Sequence, residues 1–380
     1  MTTPSAVPAP STATWRLVTP PHPASLDDAE AWAYRGIADL HATAAAEDLG
    51  SSDIAPTAIG ILVGMNNQDY LRKLRQIAVV DTPAGPQVVG SAFLFLHVHS
   101  NPELAIGVVV VHPEHRRQGI GSALARWVQD VARAEGRTTL LAPVDFGPAQ
   151  DAAAGMLTPA SGSGAVAADL PGVRLAQRLG LTLELVERRS RMDLPAAPEV
   201  VSRFEAESRA VAGDAYRVHT WTAPTPEQWI EQYAALEQAL SDDEPRGGLE
   251  VESDVWDADR IRGEEAAIAA KGDRYVVTAA EHVATGRLVA MTMLQWNDLK
   301  PEHTDQQATV VLKEHRGHRL GMLVKAVNLR EHARLRPGSR RIYTWNNEEN
   351  PHMLAINVAL GFVPTGGCAN FQGPLTPAPE

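Results

Sequence analysis

HPEHRRQGIGSAL, residues 112–124, decides the fold because it occurs twice. Residues 313–325 read KEHRGHRLGMLVK, and Glu114, His115, Arg116 and Gly121 align with Glu314, His315, Arg316 and Gly321 at a constant offset of 200. Each copy follows an apolar, β-branched run, Leu104 to Val111 in one half and Ala308 to Leu312 in the other, the pattern of a buried strand. Each copy then opens a helix. Leu124, Trp127, Val128 and Val131 in the first, and Leu320, Leu323, Val324 and Val327 in the second, recur on one helical face.

A closing mark is also shared, RLGL at 178–181 and ALGF at 359–362. The first half carries about 19 extra residues between motif and mark, and the Gly, Ala, Ser and Pro-rich segment 147–168 reads as a mobile insertion. Pro-rich and polar residues between the halves predict a linker at 196–213, with an N-terminal domain over 1–195 and a C-terminal domain over 214–380. In the second half, strands are expected at 216–221, 274–280, 287–296, 308–312 and 341–345, with a short strand at the end. Helices are expected at 226–240, 258–270 and 351–360. The first half repeats the order, with strands at 15–19, 77–81 and 87–97 and helices from Leu26 and Thr57. Mixed order around a meander predicts α/β (α+β) domains, each a mostly antiparallel sheet flanked by helices.

Composition narrows the function. At 380 residues, with 44% hydrophobic and 21% charged, the chain is globular and long enough for two cores. No apolar run approaches the ~20 residues of a membrane helix. The opening MTTPSAVPAPSTATW reads as a tail and not a secretion signal, and the one cysteine, Cys368, fits a reducing compartment, so a cytoplasmic protein is expected. A net charge of -12 argues against an extended nucleic-acid surface and leaves room for a cationic partner. No metal site is expected, and the oligomeric state is open.

Strand, glycine-bearing turn and helix form a device for holding a pyrophosphate: glycines admit its oxygens, and free amides and the helix dipole favour the anion. The run Arg116-Arg117-Gln118-Gly119-Ile120-Gly121, preceded by Val-x-x-His-Pro-Glu and followed by the LGF-like mark, resembles the GNAT superfamily of acyl-CoA-dependent N-acyltransferases. The resemblance covers both halves, so the chain resembles a tandem GNAT protein. It implies that acetyl-CoA lies between two splayed strands and that an amine attacks the thioester directly in a ternary complex. It assigns the pyrophosphate to Arg116, Arg117, Gln118, Gly119, Ile120, Gly121 and Ser122, and the pantetheine to the backbone of Val109, Val110 and Val111. Gly107 is a candidate for the strand irregularity that opens the wedge.

The second copy departs from the pattern, with Arg319 at the first motif glycine. Its backbone can still donate if the angle allows; alternatively its side chain fills the phosphate site. A second acyl-CoA site would use Val311, Arg316, Gly317, His318, Arg319, Leu320 and Gly321. Asn350 and Asn357 belong to it by resemblance, although Asn350 followed by Pro351 is equally a helix cap.

Family members often carry a tyrosine acid on the closing helix, where this chain has Ala176 and Asn357. His99 and Glu103, with His97, are candidates for proton transfer around the turn before the first motif strand, and solvated turn residues account for them as well. Glu281, Asp298 and Asp305 hold comparable positions in the second half. Acidic residues thicken from Asp242 to Glu265, either a solvated loop or an attraction for a cationic acceptor. Trp221, Trp229, Trp256, Trp296 and Trp345 are candidates for a pocket or for packing. The expectation is an N-acetyltransferase acting on a primary amine of a small molecule, with the first half as the better acetyl-CoA site and the second shaping the acceptor cleft. The alternative is a non-catalytic acyl-CoA-binding sensor.

Overall fold

The computed structural model describes residues 14–148 and 155–375. The first half runs β1 (Trp15–Val18), α1 (Trp32–Leu49), α2 (Ala58–Asn66), β2 (Leu71–Thr82), β3 (Gly85–His97), β4 (Leu104–Val111), α3 (Ile120–Ala134) and β5 (Thr139–Phe146). A hairpin of β6 (Met156–Leu157) and β7 (Val166–Ala167) then precedes α4 (Pro171–Arg178) and β8 (Thr182–Asp193). After α5 (Pro198–Ala212) the order repeats: β9 (Tyr216–Thr222), α6 (Ile230–Asp243), α7 (Ala258–Ala270), β10 (Asp273–His282), β11 (Arg287–Asn297) and β12 (His303–Val311). α8 (Leu320–Leu335), β13 (Arg341–Asn347), α9 (Pro351–Leu360) and β14 (Val363–Pro374) complete it.

Several elements differ from expectation for identifiable reasons. α1 starts at Trp32 and not Leu26, because the Asp28 carboxylate binds the amides of Ala24 and Ser25 in a turn that competes with helix. The insertion is only partly an excursion: β6 pairs with β7, and Val166 is fully buried in the first-half core. Residues 149–154 of that segment lie outside the described residues. The segment expected as linker is a helix. Val201, Glu205, Ser208 and Ala212 bury one face of α5, and Val201 and Phe204 pack on Met322, Ala326 and Leu329 of α8.

Twelve strands form one sheet in the order β1-β2-β3-β4-β5-β14-β8-β13-β12-β11-β10-β9. All neighbours are antiparallel except β4–β5 and β12–β13. The centre is an exchange: β14, from the end of the chain, pairs with first-half β5, while β8 pairs with second-half β13. The terminal strand, expected to be short, is 12 residues long because it borders two partners. Side chains follow the exchange. Ala369 and Phe371 of β14 pack with Leu124, Val128 and Leu140, and Met192 of β8 packs with Ile342 and Leu329.

Candidate active site

Both parallel pairs splay. β4 and β5 are in register only at Leu104–Thr139, Ala105–Leu140 and Ile106–Leu141, and β12 and β13 only at His303–Arg341, Thr304–Ile342 and Asp305–Tyr343. From Gly107 and from Gln306 onward, one edge of each motif strand therefore faces a wedge with its peptide groups unpaired by the neighbouring strand. Gly107 itself pairs regularly with Leu94; its lack of a side chain reflects crowding, since a Cβ there would stand 2.6 Å from Val128 Cγ1.

At the open end of each wedge the repeated motif forms the same loop twice. Arg117 and Gly119 sit at φ 64° and 86°, and Gly317 and Arg319 at φ 82° and 56°, so glycine and arginine have traded places along one backbone path. Among the described residues, no backbone acceptor is found for the amides of residues 117–119 and 317–319, which precede the helices, and the first-turn amides of α3 and α8 lack partners by geometry. Two such cradles at helix N-termini fit a pyrophosphate. Arg319 does not obstruct its cradle from within the chain's own plan; its guanidinium pairs with Glu207 of α5 at 3.2 Å.

The motif arginines divide their labour. Arg116 donates Nε to the Val111 carbonyl and forms a two-pronged pair with Asp48 at 2.8 and 2.7 Å. Arg316 repeats this with the Val311 carbonyl and Asp243, which also holds Lys313 at 2.6 Å. Their guanidinium groups thus tie the loops to α1 and α6, a role the sequence reading assigned to phosphate. Arg117 is exposed, with no partner among the described residues, and remains the first loop's available cation. His318 Nδ1 lies against the carbonyls of His315 and Arg316, and burial and neighbouring His282 lower the His315 pKa.

The halves differ at the wedge itself. β3 and β4 pair without interruption, but between β11 and β12 two residues, Gln307 and Ala308, face the single Met293, a β-bulge that re-aims side chains and peptide groups. A buried polar network supports it. Gln306 Nε2 donates to Thr292 Oγ1 and to the Met293 and Ala308 carbonyls, Lys325 Nζ reaches Gln306 Oε1 at 3.1 Å, and Asn328 bonds Thr278 and two strand carbonyls. Two hundred residues earlier these positions are Ala78, Ala92, Ile106, Ala125 and Val128, an apolar core. Burial lowers the Lys325 pKa to about 7.

Two cavities open on this second wedge. One, of about 320 Å³, lies between α6, α7 and the sheet, and its walls include Tyr233, Glu237, Trp256, Glu264, Gln307 and Ala308. The other, of about 560 Å³, is shared between the halves: Ile54 to Thr57 and Asp145 of the first half face Asp305, Trp296 and Trp345 of the second. They meet at Gln295 and Gln307.

The remaining candidates are mostly engaged elsewhere. His99 stacks edge-on to Tyr70, and Glu103 accepts from Thr138 Oγ1 at the closed end of the first wedge; neither lines these cavities. His97 pairs with Asp254 across the seam, and hydrogen bonds from His97, Arg260 and Ser100 hold the Asp254 carboxyl well below the usual range. Glu281 binds His219 and Asp298 binds Arg274 and Arg336, whereas Asp305 binds His303 and faces the shared cavity. Of the acidic stretch, Asp243, Asp254 and Glu265 are paired, Asp257 caps α7, and Glu264 and Glu265 line a cavity. Trp221 is core; Trp256, Trp296 and Trp345 are cavity walls. Asn350 caps α9 through the Met353 amide, and buried Asn357 donates to Asn346 Oδ1 behind the wedge. Glu237 was missed because it reads as one more polar position on an amphipathic helix. Among the described residues, no helix is long and apolar enough to cross a membrane and no group of three or more metal-ligating side chains is assembled.

Comparison with known proteins agrees with this geometry. Residues 59–157 match the acetyltransferase (GNAT) family model. The whole chain is similar to a tandem GNAT protein from the clavulanic acid biosynthesis pathway, solved without acetyl-CoA: 25% identity over 96% of this chain and 100% of that one, with a TM-score of 0.72. A GCN5-related N-acetyltransferase from Sphaerobacter thermophilus shares the fold at 14% identity, over 96% and 97% of the two chains, with a TM-score of 0.60. A putative acetyltransferase from Pyrococcus horikoshii does so at 12% identity, over 97% and 91%, with a TM-score of 0.51. No curated protein matches the chain.

Proposed function

From the premise that this chain is a tandem GNAT protein, we propose that it transfers an acyl group, most simply acetyl from acetyl-CoA, to a primary amine of a small cationic molecule. The observation that carries the reading is the second wedge, whose bulged motif strand runs from a carboxylate-lined cavity at Gln307 and Ala308 toward the amide cradle that opens α8. The arithmetic of the sheet favours keeping donor and acceptor in one half. From β4 to β12 is five strand spacings, about 24 Å at roughly 4.8 Å each, so a donor in the first wedge does not reach the 320 Å³ cavity, which only second-half residues line. The first loop then serves as a second acyl-CoA site.

At each loop, the amides of 117–122 or 317–322 hold the pyrophosphate and the free edge of the motif strand receives the pantetheine. An alkylamine with a pKa near 10.4 must lose a proton before attack, at a cost of about 4–5 kcal/mol at pH 7, so a carboxylate beside it serves twice, as anchor and as proton acceptor.

A panel of primary amines incubated with acetyl-CoA tests the reading by release of the free thiol. Cationic amines are expected to drive release, with KM rising as salt is added. Turnover confined to neutral or acidic amines and indifferent to salt contradicts the cationic acceptor; no release with any amine contradicts acyl transfer.

A further inference from the structure

The 320 Å³ cavity has the size of a small-ligand site and mixed walls: Trp256, Tyr233, Leu240 and Ile268 are apolar or aromatic, and Glu237, Glu264 and Glu265 are acidic. No Lys or Arg is among its lining residues. Glu265 is fully engaged, accepting from the Thr225 amide, the Tyr275 hydroxyl and Arg262 at 2.6–2.7 Å. Arg260, on α7 nearby, is committed to Asp254 and the Val255 carbonyl and sits over the Trp256 ring, 4.1 Å from its centroid. Among the described residues, Glu237 and Glu264 have no ion-pair partner, Arg260 and Lys73 acting on them only at longer range. The same cavity contains the bulge residues Gln307 and Ala308, where β12 leaves β13.

Building on the acyl-transfer reading, we propose that this cavity seats the acceptor's ammonium, that Glu264 anchors it, and that Glu237 accepts its proton. The ammonium N–H proton passes to Glu237 and then to solvent. The freed nitrogen lone pair forms a bond to the thioester carbonyl carbon, the carbon–sulfur bond breaks with its electron pair leaving on sulfur, and the nitrogen's surplus proton ends on that sulfur. The products are an amide and a free thiol.

The surroundings of Glu237 suit the role. Tyr233, on its own helix, faces it while donating its hydroxyl to Met293 Sδ at 3.6 Å; Glu264 and Arg260 face it from α7; Tyr275 of β10 and Glu265 of α7 line the same cavity; Met293, Gln295 and Gln307 of the sheet carry no charge. Burial, with the Glu264 charge, pushes Glu237 up to about 7 against the opposing pull of Tyr233 and Arg260. A buried carboxylate raised toward neutrality, set beside the substrate nitrogen, is suited to exchange a proton there.

The test is the pH profile of kcat/KM for amine-dependent thiol release in the full chain, with acetyl-CoA affinity measured calorimetrically in parallel. Wild type is expected to show a limb near pH 7. Glu237→Gln should lose that limb and at least about 100-fold in kcat, with acetyl-CoA affinity unchanged. Glu264→Gln should raise the amine KM about tenfold and move the limb to lower pH, since a like charge is gone. A Glu237→Gln protein that keeps the limb and more than a tenth of kcat overturns the assignment while leaving acyl transfer intact. Absence of amine-dependent release from wild type overturns the acyl-transfer reading itself, and the assignment with it.

Discussion

At the level of single residues, the second half buries a charge where the first half has an apolar side chain. Lys325 is 2% exposed with one hydrogen-bond partner, where the first half has Ala125. Its folded pKa of about 7 lies below its unfolded value, so between about pH 7 and 10.5 the unfolded chain binds a proton that the folded chain lacks. Stability from this group therefore rises with pH through that window, and below it the buried charge is a cost. Lys325→Met is expected to flatten the rise, which urea unfolding of both proteins at pH 7 and pH 9.5 measures as a difference in slope. The sequence made the loop legible because glycine and charge are chemically conspicuous. It did not reveal that Arg116 and Arg316 serve Asp48 and Asp243, since such pairs join residues about 70 positions apart.

Among the elements, the exchange of β8 and β14 shapes the energetics. Phe371 is 1% exposed and lies in the first-half core although it belongs to the last strand of the chain. Phe371→Ala should cost about 3–5 kcal/mol, and hydrogen exchange should place the loss in β5 as well as β14. Protection lost only in the second half would contradict the exchange. Neither strand advertises its partner: both follow a closing helix, and pairing choice lies in tertiary packing. The α5 segment reads as a linker because its Pro-rich and polar composition masks a buried face, yet Glu205 on that face is spent on Arg209 and Arg330 of the protein's own helices. α7, by contrast, matched its expected limits, since Asp257 caps it through the Arg260 amide.

Across the whole molecule, polar contacts tie the halves together beside the exchanged strands. Asn101 exchanges hydrogen bonds with Glu252, and Asp254 gathers Ser100, His97 and Arg260. The Asp254 carboxyl is held well below its usual pKa, so its contribution is complete above the unfolded value near 4 and is lost as pH falls through the folded one. Asp254→Asn should therefore lower the melting temperature at pH 7 and narrow its gap to wild type on acidification, as scanning calorimetry at pH 7 and 3 would register. The duplication was legible because the 200-residue offset repeats both motif and order. The bulge, the cavity and the traded glycine gave the second half a larger role than its altered loop suggested. That role is tested most directly by amine-dependent release of free thiol from acetyl-CoA in Gly121→Glu and Gly321→Glu, each placing a carboxylate in one cradle. The account predicts that Gly321→Glu loses at least about 100-fold while Gly121→Glu retains most of its turnover. Turnover abolished by Gly121→Glu and preserved by Gly321→Glu would contradict it.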